Sequence, residues 1–158
     1  MKITEFLSSD AVIAEMRVAN KKQLLSELAT AAGRGLALDG RAIFETLLQR
    51  EKLGSTGLGQ GIAIPHGKLA GIDRVHAVFA RLGQPVDFEA VDGQPVDLVF
   101  MLLAPEAAGA DHLKALATIS RLMRDQGLVQ KLRGTDNREG LYAILTEASA
   151  EGTSTAAA

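Results

Sequence analysis

His66 stands near the end of GSTGLGQGIAIPHGKL (54–69), a stretch that holds five of the chain's sixteen glycines and one of its three histidines. Neutral imidazole is a nucleophile near pH 7, because its unperturbed pKa lies close to that value. The residues before it suit an anionic partner. Glycines, Gly57 and Gly67 among them, let main-chain amides approach an anion without a Cβ in the way. Ser55 and Thr56 add hydroxyl donors, and Arg50, one turn before the preceding helix ends, carries a planar guanidinium that matches phosphate oxygens. Pro65 stiffens the backbone just before the imidazole, and Gly67 keeps its far side open. Such a set could take a phosphoryl group from a donor and hand it on. On the residues alone, a mobile connection ending in a solvated histidine is an equal reading.

His112 is the second candidate. It follows Ala107-Ala108-Gly109-Ala110-Asp111 at the start of a helix, just after an expected strand. Loops gather into sites at such strand ends. A neutral imidazole there could pair with His66 or with a phosphoryl oxygen; the plainer reading is a first-turn residue facing solvent. His76 falls within the expected strand RVHAVFARL and reads as structural and half-buried. A metal site from His66, His112 and Asp111 is conceivable, with no H-E-x-x-H or close ligand pair behind it.

Three phosphate and acyl-transfer signatures are absent. A P-loop would need a glycine where His66 stands, or, counted to Gly67-Lys68, is one residue too long and meets Leu69 instead of a hydroxyl. Gly57, Gly59 and Gly61 follow a helix and lead into a strand, the reverse of a dinucleotide fingerprint. No serine is framed as G-x-S-x-G.

The elements that must position these residues follow from periodicity and caps. Residues 12–18 read as a short strand. Asn20 with Gln23 forms a capping box for a helix whose face is Leu24, Leu25, Leu28, Ala29 and Ala32, and Gly33 and Gly35 are expected to end it. Asp39 caps the next helix, with Ile43, Phe44, Leu47 and Leu48 inward and Gly54 as the stop. Residues 74–82 and 95–103 read as strands, with a short strand at 86–88 and an Asp92-Gly93 turn between them. Helical spacing returns at Leu113, Leu116, Ala117, Ile119, Leu122 and Met123. A last helix follows Thr135 or Asp136 through Leu141, Ile144 and Leu145, and 148–158 are expected to form a disordered tail. The fold class is α/β: one domain over 1–147, a sandwich with a central mixed parallel/antiparallel sheet and helices on both faces.

Composition narrows the function. The 158 residues suit one core, and 17 basic against 19 acidic residues give a net charge of −2. With no basic stripe, no tryptophan and a single tyrosine (Tyr142), nucleic acid is not an expected partner. The absence of cysteine excludes disulfides, zinc–thiolate sites and thiol catalysis. No apolar run is long enough to cross a bilayer, so no membrane insertion is expected, and MKITEFLSSD lacks an apolar signal core; a cytoplasmic location follows as an expectation.

The stretch Gly54 to Leu69, with its Ile-Pro-His-Gly core, resembles the active-site segment of the enzyme IIA components of the bacterial phosphotransferase system. The nitrogen-regulatory type, related to the fructose and mannitol IIA domains, is the nearest match. LLAPEAAGADHLKALATISRLM (102–123) is similar to that family's segment carrying a second histidine, and the resemblance spans residues 1–147. It implies that His66 accepts a phosphoryl group from the phosphohistidine of a small histidine-containing carrier protein, that His112 lies beside it, and that Arg50 sits near the transferred phosphate. Ser55, Thr56 and the glycines, Gly57 and Gly67 included, would shape the pocket, and Lys68 reads as solvated. The resemblance implies no metal and no organic cofactor.

Two roles share this chemistry. In the first, the phosphorylation state of His66 controls target proteins such as transporters or sensor kinases, in nitrogen, carbon or potassium regulation. In the second, the chain is a sugar-transport intermediate passing phosphate to a IIB domain. A metal-assisted hydrolase built on His66 and His112 is a third reading. Leu58, Ile62 and Leu69 are candidates for an apolar docking patch around the site.

Overall fold

Asn20 and Asp39 act as the caps their positions suggest. The Asn20 side chain accepts from the Gln23 amide (2.8 Å) at the start of helix α1 (Lys21–Leu36), and Gln23 reaches back to the Ala19 amide (2.7 Å). Asp39 accepts from the Arg41 amide (3.0 Å) and opens α2 (Gly40–Lys52). Gly33 and Gly35, expected as terminators, lie inside α1 instead. Ala37 takes the left-handed turn at φ 55°, and a Cβ on Gly33 would stand 2.8 Å from the Leu38 carbonyl oxygen, so that glycine serves the close crossing of α1 and α2. This computed structural model describes residues 1–157, with side chains through residue 149.

Six strands form one mixed sheet among the described residues: β1 (Val12–Met16), β2 (Gly57–Gly59), β3 (Ile62–Ala63), β4 (His66–Leu69), β5 (His76–Val86) and β6 (Val96–Pro105). The order is β1-β5-β6-β3-β2, and β4 continues along the same edge of β6 that β3 occupies. β5 and β6 are antiparallel; β1 runs parallel to β5, β3 and β4 run parallel to β6, and β2 is antiparallel to β3. The separate strand expected at 86–88 does not form: Val86 is the last residue of β5, paired with Val96, and Phe88 turns away to be fully buried under α1 and α2. The Asp92-Gly93 turn is present, with the Gly93 amide on the Ala90 carbonyl (2.9 Å).

Alternation along β5 and β6 splits the core in two, because successive residues of a strand face opposite sides. Phe79, Leu98, Phe100 and Leu102 pack with helices α3 (Ala110–Arg124), α4 (Gln126–Arg133) and α5 (Arg138–Ala157). Val78, Val99, Met101 and Leu103 pack with α1 and α2. The helices on both faces match the expected sandwich. Helix α4 has no counterpart in the sequence reading. It is only eight residues long and carries Gly127 in its first turn, and Asp125 starts it by accepting from the Leu128 amide (3.2 Å).

The tail expected from 148 is a correction. α5 carries helical backbone to Ala157, and Ser149 is buried, its hydroxyl accepting from the Ile3 amide (3.2 Å). The N-terminal turn supplies Ser149 with a partner that local sequence cannot announce. Side chains from 150 onward, and residue 158 altogether, lie outside the described residues.

Candidate functional site

The glycine-rich stretch is built sheet rather than a mobile loop. β2 and β3 form a hairpin whose two-residue turn, Gln60-Gly61, has φ values of 57° and 83°, the left-handed pair that such tight hairpins require. Arg133 closes it from α4, donating to the Gln60 carbonyl (2.7 Å) and to both Asp97 carboxylate oxygens (2.8 and 2.9 Å). Most of the glycines have packing reasons. A Cβ on Gly57 would lie 2.8 Å from that of Ala90, and one on Gly67 would lie 2.7 Å from Thr46 Cγ2 of α2.

His66 opens β4, paired with Leu102 of β6, and so lies on the α3 side of the sheet. Its Nδ1 is 2.8 Å from the Ile64 carbonyl oxygen. A carbonyl only accepts, so Nδ1 carries the hydrogen and donates it, and the lone pair of the neutral ring is on Nε2. The ring is half-buried. His112, in the first turn of α3, has its ring centroid 5.8 Å away at an interplanar angle of 56°. The two histidines, 46 positions apart in the chain, thus meet where the C-terminal end of β6 passes into α3.

His112 Nε2 is buried without a hydrogen-bond partner. Burial holds this imidazole below the ordinary histidine value, and the Lys68 charge, with that of His66 whenever its ring is protonated, pushes the same way. Each of these effects favours the neutral form of the His112 ring. Lys68 is exposed, as expected of a solvated lysine, yet its charge reaches the site.

The other expected site residues make bonds of their own. Arg50 Nη1 donates to the Gly54 carbonyl (3.0 Å). Ser55 donates its hydroxyl to the Phe88 carbonyl (2.9 Å) and accepts from the Gly57 amide (3.0 Å). The Thr56 hydroxyl donates to the Glu51 carboxylate, and the Thr56 carbonyl accepts from the Ile64 amide (3.0 Å). The last bond sets this short loop beside Ile64-Pro65-His66. Of the expected docking patch, only Leu58 is exposed, at 52%; Ile62 and Leu69 are buried at 4% and 7% because β3 and β4 lie between the two helical layers. Among the described residues no group of three or more His, Cys, Asp or Glu is placed to hold a metal ion, and no helix is long and apolar enough to cross a membrane.

Residues 5–148 match the model of the family "phosphoenolpyruvate-dependent sugar phosphotransferase system, EIIA 2". The chain belongs to this family. The EIIA chain is 54% identical to a nitrogen regulatory protein of Bradyrhizobium diazoefficiens, over 92% of its own length and 95% of the relative's. Its fold superposes on the crystal structure of nitrogen regulatory protein IIA-Ntr from Neisseria meningitidis with a TM-score of 0.86 and 41% identity, covering 91% of this chain and 99% of that one. The Escherichia coli mannitol IIA enzyme, solved in complex with phosphorylated mannitol IIB, shares the fold at a TM-score of 0.74 and 19% identity, over 89% and 96% of the two chains.

One residue beside these candidate residues escaped the sequence reading. Glu51 is buried on α2 next to the loop that carries Ser55 and Thr56. Its signal was present: Ile43, Leu47 and Glu51 are four apart and form the buried stripe of α2, so a carboxylate occupies a position that spacing assigns to the core.

Proposed function

We propose that this EIIA chain is a phosphocarrier whose His66 takes a phosphoryl group from the phosphohistidine of a small histidine-containing carrier protein. The observation that carries the reading is the His66 Nδ1–H bond to the Ile64 carbonyl (2.8 Å), which leaves the lone pair on Nε2. In the transfer, that lone pair attacks phosphorus and the new Nε2–P bond forms; the donor's N–P bond breaks with its electron pair returning to the donor nitrogen, and the donor ring, protonated on its other nitrogen, leaves as neutral imidazole. Positive charge that develops on the His66 ring meets the dipole of the Ile64 carbonyl, which keeps the Nδ1 proton in place. His112, whose Nε2 has no hydrogen-bond partner of its own, gives one hydrogen bond to a phosphoryl oxygen. Arg50 spends one N–H on Gly54; a guanidinium has five, and the others serve the phosphate.

Ser55, Thr56, Gly57 and Gly67 contribute to the pocket by holding its backbone, since both hydroxyls already have protein partners. The phosphorylation state of His66, worth up to two negative charges at the surface, then controls target proteins such as transporters or sensor kinases in the cytoplasm. The similarity to chains named nitrogen regulatory protein supports this over sugar uptake. The second reading, transfer onward to a IIB domain, draws on the mannitol IIA enzyme solved with phosphorylated IIB.

Intact mass after incubation with phosphoenolpyruvate, an enzyme I and a histidine carrier tests the proposal. One added phosphate, removed by mild acid and missing in His66→Ala, is the expected result. No added mass with an active donor system would overturn it. Rapid loss of the label to a purified sugar-specific IIB protein would favour the transport role.

A further inference from the structure

We propose that Glu51 is a positioning residue for His66, acting through a hydrogen-bonded chain that begins at Lys21 on α1. The inference rests on the reading of His66 as phosphoryl acceptor. The Glu51 side chain is 3% exposed. One carboxylate oxygen accepts from the Thr56 amide (3.0 Å) and pairs with the Lys21 ammonium (3.1 Å), and the other accepts from the Thr56 hydroxyl. Lys21 is itself fixed, its ammonium 4.5 Å from the centre of the Phe88 ring and 3.5 Å from a Glu89 oxygen. Thr56, clamped at both its amide and its hydroxyl, accepts through its carbonyl from the Ile64 amide (3.0 Å), and the Ile64 carbonyl accepts from His66 Nδ1 (2.8 Å).

Ile64 makes this chain matter. It lies between β3 and β4, and β6 holds both its neighbours, Ala63 by pairing with Val99 and Pro65 through its carbonyl on the Leu102 amide (2.9 Å), but the amide and carbonyl of Ile64 itself bond to Thr56 and His66 instead. Its amide is tied to Thr56, and its carbonyl is the group that selects the His66 tautomer. Whatever holds Thr56 therefore orients the acceptor that decides which imidazole nitrogen is the nucleophile.

A carboxylate suits this task better than its neighbours in size. It accepts simultaneously from an amide and a hydroxyl while facing an ammonium, whereas glutamine has a single acceptor oxygen. Stability alone does not ask for it. A buried ion pair is expensive to desolvate and is often matched by an apolar residue, and a leucine at 51 would simply extend the stripe of Ile43 and Leu47. What the carboxylate adds is a fixed geometry for Thr56.

The test reads the tautomer directly. Protein labelled with ¹⁵N-histidine is compared as wild type, Glu51→Gln and Glu51→Ala by long-range ¹H–¹⁵N correlation, without any phosphate donor. Transfer rates from a phosphorylated histidine carrier are measured alongside. The wild type is expected to hold His66 as the Nδ1–H form alone. Glu51→Ala should show a mixture of tautomers and transfer slowed by about 10–100-fold, with Glu51→Gln between the two. Leu141→Ala, a core cavity on α5, controls for general destabilisation and should leave the tautomer unmixed. Should Glu51→Ala fail to fold, Thr56→Val replaces it, keeping the amide bond and deleting the hydroxyl. A single Nδ1–H tautomer in the Glu51 and Thr56 variants, with transfer within about twofold of wild type, would overturn the proposal. Failure of the wild type to take phosphate would sink the carrier reading alone, because the tautomer experiment needs no phosphate.

Discussion

His66 and His76 sit one register row apart on opposite faces of the same sheet: His66 is level with Leu102 and Ala77, and His76 with Leu103 and Gly67. Their surroundings make them different reagents. His66 has one nitrogen bonded to a backbone carbonyl and a second imidazole 5.8 Å away. His76 lies against α1, close enough that a Cβ on Gly35 would come within 3.3 Å of its ring, and its Nε2 is buried with no partner. Burial alone holds its pKa below the ordinary value. An imidazole becomes a candidate nucleophile when its tautomer is fixed by a neighbour, and half-burial in a sheet does not supply that.

The largest expected effect separates the two outright. His66→Ala should abolish phosphate uptake with circular dichroism and melting temperature preserved, whereas His76→Gln should retain uptake; equal uptake by both variants would erase the distinction. His112→Ala comes next. Loss of one hydrogen bond to a charged phosphoryl oxygen should slow transfer by ~10–100-fold in single-turnover kinetics. Third, Gly61→Ala should destabilise the fold by ~1–3 kcal/mol in chemical denaturation. Its φ of 83° is strained for alanine, and the new methyl would meet Arg133 at 2.5 Å.

The smallest effect is on pH dependence. Both His76 and His112 are held below the ordinary histidine value, so the unfolded chain takes up their protons first on acidification. Their contribution to stability is complete above the unfolded value of about 6.5 and is lost as pH falls through it toward the folded values. Melting temperature measured from pH 7.5 to 5 should fall, and His76→Gln should flatten part of that slope.

The legibility of this chain follows the range of the forces involved. α1 and α2 were readable because their caps, Asn20 and Asp39, act within three residues. β5 and β6 were readable because their branched and aromatic residues suit a buried strand anywhere. The candidate histidines at 66 and 112 stood out by their setting, but their approach depends on β6 and α3 bringing two distant segments together. Strands β2, β3 and β4 were illegible: each is two to four residues long, and β6, rather than local propensity, holds β3 and β4 in place. The hydroxyls of Ser55 and Thr56 read as phosphate donors, yet Phe88 and Glu51 claim them through contacts made only in the folded chain.

The most direct measurement is long-range ¹H–¹⁵N correlation on histidine-labelled protein before and after loading with phosphate. The expected result is a His66 ring carrying its hydrogen on Nδ1 in both states, with phosphorus appearing on Nε2. Phosphorus on Nδ1, or on any histidine other than His66, would contradict the site at its core.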